Sequence, residues 1–279
     1  MYLGAQFGVY ELPYHSGERS PAATPRKIAA VRTSGVSRDH ETTSVAVAGG
    51  RLYASIGASC NNCQPELDAT RATIQQMNLD GGDLAPKATH IRNAIALATN
   101  PQTGTLWAGV AGQDELPHGH PYEIFDAVTL HPGVPDYGWP YCYENHQAVD
   151  GHDCAGQTVA RVVMPAYAPP IGAAFYPARA TGPHAFPENY RGGAFVTLHG
   201  SWHQPPVAPR VVFVPMRGDA PARPVDWSDP ATQWHAFVGG FQLPDGSRIA
   251  RPTGVAVGPD GSLFISDDLT DGIYRIRPR

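Results

Sequence analysis

The sequence predicts an all-β fold, a β-propeller, from three observations. First, a phrase recurs: a glycine turn, then a large apolar residue, an aromatic or second apolar residue, and small or β-branched residues. It stands at 49–57 (GGRLYASIG), 103–110 (TGTLWAGV), 192–202 (GGAFVTLHGSW) and 260–268 (DGSLFISDD). Second, an apolar run precedes several copies, as in TSVAVA, AIALAT and TGVAVG, so the unit reads strand, turn, strand. Third, 30 glycines and 28 prolines with only 16% charged residues favour short strands and many turns over long helices.

The opening MYLGAQFG matches the tail of a fifth copy. Leu52, Leu106, Phe195 and Leu263, which lead the four full copies, are unequally spaced, so loops of different length separate the repeats. A strand-turn-strand unit cannot bury both faces alone; stacking such units in a ring does so. A β-sandwich uses the same hairpins, and it is the repetition that favours the propeller. The only helix-like piece is around PELDATRATIQQM, 65–77, which reads as a short helix or as a single turn in a loop. No linker or low-complexity tract divides the chain, so residues 1–279 read as one domain.

Several function classes drop out. The formal charge of −5 gives no basic field for nucleic acid. No apolar run reaches the length of a membrane span. The first residues lack the basic leader and apolar core of a secretory signal and instead alternate like a strand, so the chain is expected to begin partway through a longer protein. There is no G-x-S-x-G elbow, phosphate-binding Walker loop or H-E-x-x-H, and no βαβ unit follows the early glycines.

The four cysteines are 60, 63, 142 and 154. A bond between Cys142 and Cys154 would staple the polar loop CYENHQAVDGHDC. Cys60-Asn-Asn-Cys63 reads as a local disulfide, a pair of free thiols or half of a zinc site, and Gln64 in place of His excludes a c-type haem attachment motif. This cysteine usage favours an oxidising compartment.

Propeller loops converge at the ends of the inner strands, so polar residues beside those strands are the site candidates. Asp39 and His40 precede TSVAVA; a histidine there can take a proton from a substrate hydroxyl, though a surface turn explains the same pair. Arg92 and Asn93 precede AIALAT, and Arg251 precedes TGVAVG. An arginine in this position is a fork for carboxylates, or else a surface ion-pair partner. The loop 110–144 is rich in oxygen donors, with Gln113, Asp114, Glu115, Glu123 and Asp126, which suits calcium or a solvated acidic loop. His199, Ser201 and Trp202 end the third copy; Trp202 can stack on a flat ring or close a sheet edge.

These phrases, in this order, resemble the soluble pyrroloquinoline quinone (PQQ)-dependent sugar dehydrogenases, in particular the sorbosone and aldose sugar dehydrogenase-like branch. The quoted residues are DH, GGRLYASIG, CNNC, IRNAIALATNPQTGTLWAG, YEIF, DYGWPYC, HGSW and RPTGVAVGPDGSLFISDD. The resemblance runs the length of the chain. It implies an all-β, six-bladed propeller of the quinoprotein glucose dehydrogenase type, periplasmic or secreted, with about four to five blades in this chain. It also implies PQQ and calcium as cofactors and oxidation of an aldose C1 hydroxyl to a lactone, with an electron acceptor the sequence does not name. By the resemblance His40 is the general base, and Asp39 assists it or contacts the sugar. Arg92 and Asn93 hold the quinone oxygens, and Arg251 pairs with a quinone carboxylate. Gly112 and Gln113 offer backbone oxygens to the quinone's calcium, while Glu123 and Tyr137 mark a structural calcium. Trp202 stands near a quinone contact.

The departures are the loop AGQDEL, where the family has glutamine-glycine-proline, and Trp202-His203-Gln204 where many relatives carry a lysine. A ring short of blades exposes sheet edges, so the chain is expected to open, aggregate or pair with a partner or second copy unless the gap is covered. Two other readings stand beside dehydrogenase: a propeller that binds carbohydrate or a partner without turnover, and a calcium-dependent, lactonase-like hydrolase. The hydrolase needs converging acidic ligands, and the repeat positions carry His and Arg instead.

Overall fold

A computed structural model describes residues 1–21, 23–32, 40–117, 119–203 and 205–278. Five successive antiparallel sheets account for the recurring phrase. The first is β1 (Tyr2–Ala5), β2 (Gly8–Glu11) and β3 (Arg26–Ala29). The second is β4 (Val45–Ala48), β5 (Arg51–Ile56), β6 (Thr73–Met77) and β7 (Ala85–Ala88). The third begins with β8 (Asn93–Thr99), β9 (Leu106–Ala111) and β10 (Glu123–Asp126). A small ribbon follows, β11 (Cys142–Tyr143) with β12 (Gln147–Ala148), before β13 (Val162–Met164) completes that sheet. The fourth is β14 (Pro170–Phe175), β15 (Ala194–Leu198) and β16 (Arg210–Val214). It is completed, after the ribbon β17 (Met216–Arg217) and β18 (Ala220–Pro221), by β19 (His235–Val238). The fifth is β20 (Pro252–Val257), β21 (Leu263–Asp267) and β22 (Gly272–Ile276). Strands consecutive in sequence are neighbours in each sheet, three or four at a time, which is the blade pattern of a β-propeller.

Each full copy of the phrase is the second strand of its sheet: β5, β9, β15 and β21. Three of them, β5, β9 and β15, are covered on both faces and carry near-continuous apolar or small residues, whereas β21 alternates, with Leu263, Ile265 and Asp267 buried and Phe264 and Ser266 half-buried. In β5 all of Leu52–Ile56 is buried. The β4–β5 turn uses Gly49 and Gly50 at φ 53° and 75°, left-handed values that the two central residues of this hairpin require, and it sets Ala48 opposite Arg51.

The chain groups into two compact units. One is Met1–Leu97 with Val128–Val159; the other is Ala98–Ala127 with Ala160–Arg279. In the first, Leu52, Ala54, Ile56 and Met77 pack with Val9, Ala29 and Val31. In the second, Trp107 lies 4.8 Å from the Phe125 ring and 5.7 Å from that of Phe175, within a core that includes Val196 and Val212. Asp219 anchors this Trp. Its carboxylate accepts from Thr105 Oγ1 (2.7 Å), Asn100 Nδ2 (2.9 Å), Thr103 Oγ1 (3.0 Å) and Trp107 Nε1 (3.1 Å). Burial pushes this carboxyl up, and the four donors outweigh it, so it sits below the usual carboxylate range.

Two expectations change. Residues 65–77 hold no helix: the chain turns at 69–72 and continues as β6. The fourth sheet has a first strand, β14, that the repeat did not announce. Among the described residues the only helical pieces are short 3₁₀ turns, and no helix is long and apolar enough to cross a membrane. Both cysteine pairs are bonded, Cys60–Cys63 and Cys142–Cys154.

Candidate functional site

In the first unit, four segments build a cluster of polar groups: the approach to β4, the end of β5, the loop after it, and the start of β8. His40 has φ 41°, a left-handed backbone that a non-glycine residue holds only under constraint. The constraint is visible. Arg71, which is buried, donates from Nε to Gly57 O (3.0 Å) and from Nη2 to Ala58 O (3.0 Å) and His40 O (3.3 Å). Two residues further on, Arg32 donates from Nη2 to Thr42 O at 2.9 Å. The His40 ring lies with Nδ1 3.1 Å from Ala58 O. A carbonyl only accepts, so Nδ1 carries the proton and Nε2 is the basic nitrogen.

Gly57 is where His40 and Asn93 meet. A Cβ there would lie 2.5 Å from His40 Cβ and 2.7 Å from Asn93 Oδ1, so only glycine fits. Asn93 opens β8 and is buried; its Oδ1 has no hydrogen-bond partner among the described residues. Arg92 is buried too. Its peptide oxygen accepts from Ala58 N at 2.8 Å, and its side chain reaches Asn61 with Nε to O (3.0 Å) and Nη2 to Oδ1 (2.9 Å). Thus His40, Arg92 and Asn93 are joined through Gly57 and Ala58 in one network. Asp39 lies outside the described residues.

A clip on the segment before Arg92 makes this cluster pH-sensitive. His90 Nδ1 is 2.9 Å from Asp136 Oδ1, and Trp139 N donates to His90 O at 3.0 Å. The hydrogen bond with Asp136 lifts His90 above its ordinary value of 6.5, against burial. Burial pushes Asp136 up, but His90 and the Gly138 N–H outweigh it and hold it below the usual range. The native state therefore holds its His90 proton longer than the unfolded chain does. The pair stabilises fully below about pH 6.5 and the gain is lost as pH rises through the raised His90 value; on the acid side it is lost as Asp136 protonates. Both side chains are half exposed, so the effect is small. The urea midpoint of the wild type should fall between pH 6 and pH 9, relative to His90→Gln, by roughly a few tenths molar. Parallel midpoints would remove this role.

The other candidates lie in different surroundings. Gly112 and Glu123, in the second unit, do come together: the Gly112 N–H donates to Glu123 Oε2 at 2.6 Å, and Glu123 is buried at the start of β10. Gln113 is buried beside them. Tyr137, in the first unit, gives its carbonyl to Gln157 Nε2 (3.2 Å) and its ring packs edge-on to His131. No group of three or more His, Cys, Asp or Glu is placed to hold a metal among the described residues. Arg251 precedes β20, but its guanidinium grips Asp268 with two bonds, at 2.7 and 3.0 Å, and His199 Nε2 sits 3.0 Å from the same carboxylate. Trp202 is 74% exposed and stacks on His203 at 4.1 Å. With Pro205, Pro206, Pro244, Asp245 and Arg248 it lines an open cleft of about 760 Å³.

Sequence reasoning missed Arg71, Asn61 and Trp139. Arg71 was hidden inside the helix-like stretch. Asn61 was visible only as filler between two cysteines, and Trp139 as part of the phrase DYGWPYC.

The succession of three- and four-stranded antiparallel sheets defines an all-β propeller fold, and the solved structures it matches include PQQ-type sugar dehydrogenases. Residues 124–279, more than half the chain, match the TrAA12-like family, and the chain belongs to that family. The carbohydrate-active enzyme family AA12 protein of Trichoderma reesei is 20% identical with a TM-score of 0.77, the match covering 98% of this chain and 77% of that one. The PQQ domain of pyranose dehydrogenase from Coprinopsis cinerea, solved in a holo form, is 17% identical with a TM-score of 0.78, covering 99% and 78%. The soluble aldose sugar dehydrogenase of Escherichia coli, in its apo form, is 17% identical with a TM-score of 0.62, covering 97% and 73%. A protein of Borreliella burgdorferi of uncharacterised function is 25% identical over 232 residues, 81% of this chain; the match spans 57% of that protein's length.

Proposed function

We propose that this chain carries the working part of a PQQ-dependent sugar dehydrogenase, with His40 as the base that takes the proton of the sugar C1 hydroxyl. The observation that carries the proposal is the His40 ring held with Nδ1 on Ala58 O, which presents Nε2 as the acceptor. The residues present suit the cofactor. Asn93 Oδ1 is a buried acceptor without a partner, and a half-turn of the amide offers an N–H donor at the same point. Beside it, the buried Arg92 guanidinium supplies positive charge for quinone oxygens or carboxylates. Gly57 lets His40 and Asn93 pack closely together, since a Cβ there would collide with both.

PQQ, where bound, would supply the acceptor for a hydride from sugar C1, so that an aldose would become a lactone, and His40 would receive the hydroxyl proton. Calcium is the matching cation: a calcium structure of the Trichoderma reesei enzyme has a TM-score of 0.77 with this chain. Gly112 and Gln113 offer hard backbone oxygens and Glu123 a buried carboxylate beside them, which suits calcium. Two disulfides support a periplasmic or secreted location, with an external electron acceptor.

One observation favours the reading of binding without turnover. Arg251, expected on a quinone carboxylate, is committed to Asp268. Titration of the protein with PQQ and calcium, followed by tryptophan fluorescence, tests the proposal. Saturable one-to-one quenching is expected, and Arg92→Ala should weaken it at least about tenfold, the effect of removing a charge-assisted hydrogen bond. No saturable quenching by the wild type would overturn the cofactor assignment.

A further inference from the structure

Asn61 lies inside the four-residue ring closed by Cys60–Cys63. Its peptide oxygen accepts from Arg92 Nε and from Trp139 Nε1, each at 3.0 Å, and its side-chain oxygen accepts from Arg92 Nη2 at 2.9 Å. One residue therefore takes a whole edge of the guanidinium, a planar two-bond grip that fixes the orientation of the plane as well as its position. The ring is anchored on both flanks. Upstream, Ala58 N donates to Arg92 O, and the Glu66 carboxylate accepts from Ser59 N at 2.7 Å. Downstream, Cys63 packs with Ala58, Ala72 and Trp139. Within these anchors the disulfide is the bond that confines the Asn61 peptide, because opening it returns conformational freedom to residues 60–63.

We infer that the Cys60–Cys63 ring is a redox-dependent positioning element for Arg92, with Asn61 as the positioning residue. Oxidised, the ring aims both Asn61 oxygens at the guanidinium; reduced, it releases them and the site holds its cofactor less tightly. The switching step is thiol–disulfide exchange: a dithiol reductant is oxidised to its disulfide while Cys60 and Cys63 each take up one electron and one proton. This rests on the PQQ reading for its consequence, but its structural half stands on the hydrogen bonds alone.

The experiment uses the full chain and two readouts. The first is exchange of the Trp139 indole N–H with solvent, followed by NMR and assigned with Trp139→Phe. The second is the PQQ dissociation constant with calcium present. In Cys60→Ser/Cys63→Ser, and in wild type under reductant with Cys142→Ser/Cys154→Ser as background control, indole exchange should quicken and the PQQ constant should rise, each about tenfold or more. Asn61→Ala keeps the ring and the peptide oxygen, so it should weaken PQQ about tenfold while leaving the Trp139 indole protected. Asn61→Asp, which keeps an acceptor for Arg92, should restore wild-type binding. Unchanged indole exchange on opening the ring would overturn the inference, as would faster exchange with unchanged PQQ affinity. If the wild type binds no PQQ, the functional reading fails, and indole exchange alone decides whether the ring positions this network.

Discussion

His40→Ala should lower turnover by about two to four orders of magnitude, the range set by loss of a positioned general base, and leave PQQ binding within about twofold. The asymmetry follows from the geometry. His40 is tied to the chain through Ala58 O and Arg71, whereas the groups suited to holding the cofactor are Arg92 and Asn93. His40→Gln distinguishes shape from proton transfer. It keeps a polar side chain of similar reach but no basic nitrogen, so it should be as slow as the alanine variant. Turnover by either variant within threefold of wild type would refute the assigned role of His40.

The second large effect is expected at Arg71. This buried guanidinium donates to three backbone carbonyls, those of Gly57, Ala58 and His40. Arg71→Met fills much of the same volume but takes this donor from the carbonyls of Gly57 and His40, while Ala58 O keeps the His40 Nδ1 donor. At about 1–3 kcal/mol for each unsatisfied group, and allowing for partial relaxation, the loss should be about 2–4 kcal/mol of folding stability, read from urea denaturation. The variant should also lose turnover beyond what instability explains, because the strained His40 backbone at φ 41° is no longer held. Arg71→Lys, with one nitrogen in place of a planar fork, should recover only part of either loss. A loss below 1 kcal/mol with normal turnover would show that the carbonyls find other partners.

The second strands of the second, third and fourth sheets were legible because near-full burial imposes one composition on the runs led by Leu52, Leu106 and Phe195, while the run led by Leu263 was legible from its glycine turn and its alternation. The third strand of the second sheet was not. In β6 the side chains of Thr73 and Gln75 are buried and satisfy each other, with Gln75 Nε2 donating to Thr73 Oγ1 at 2.8 Å. Polar residues in a fully covered strand break the period of two and imitate a helix. In the fourth sheet a long connection, 176–193, separates β14 from β15, so the two did not read as one hairpin. At the site, His40, Arg92 and Asn93 were readable from their place before strands. Their positioning groups were not, since Arg71 and Asn61 act through backbone oxygens, a partnership with no residue-type signature. Arg251 shared the position of Arg92, yet Asp268, seventeen residues on, takes its charge. Position in the repeat predicts where a side chain starts, and the neighbouring strand decides what it meets.

The central claim is tested most directly by dye reduction with aldoses, measured on the full chain saturated with PQQ and calcium under non-reducing conditions. Saturable, sugar-dependent reduction that disappears in His40→Ala is the predicted result. Saturation with PQQ and no dye reduction by any aldose would contradict it and leave a propeller that binds without turnover.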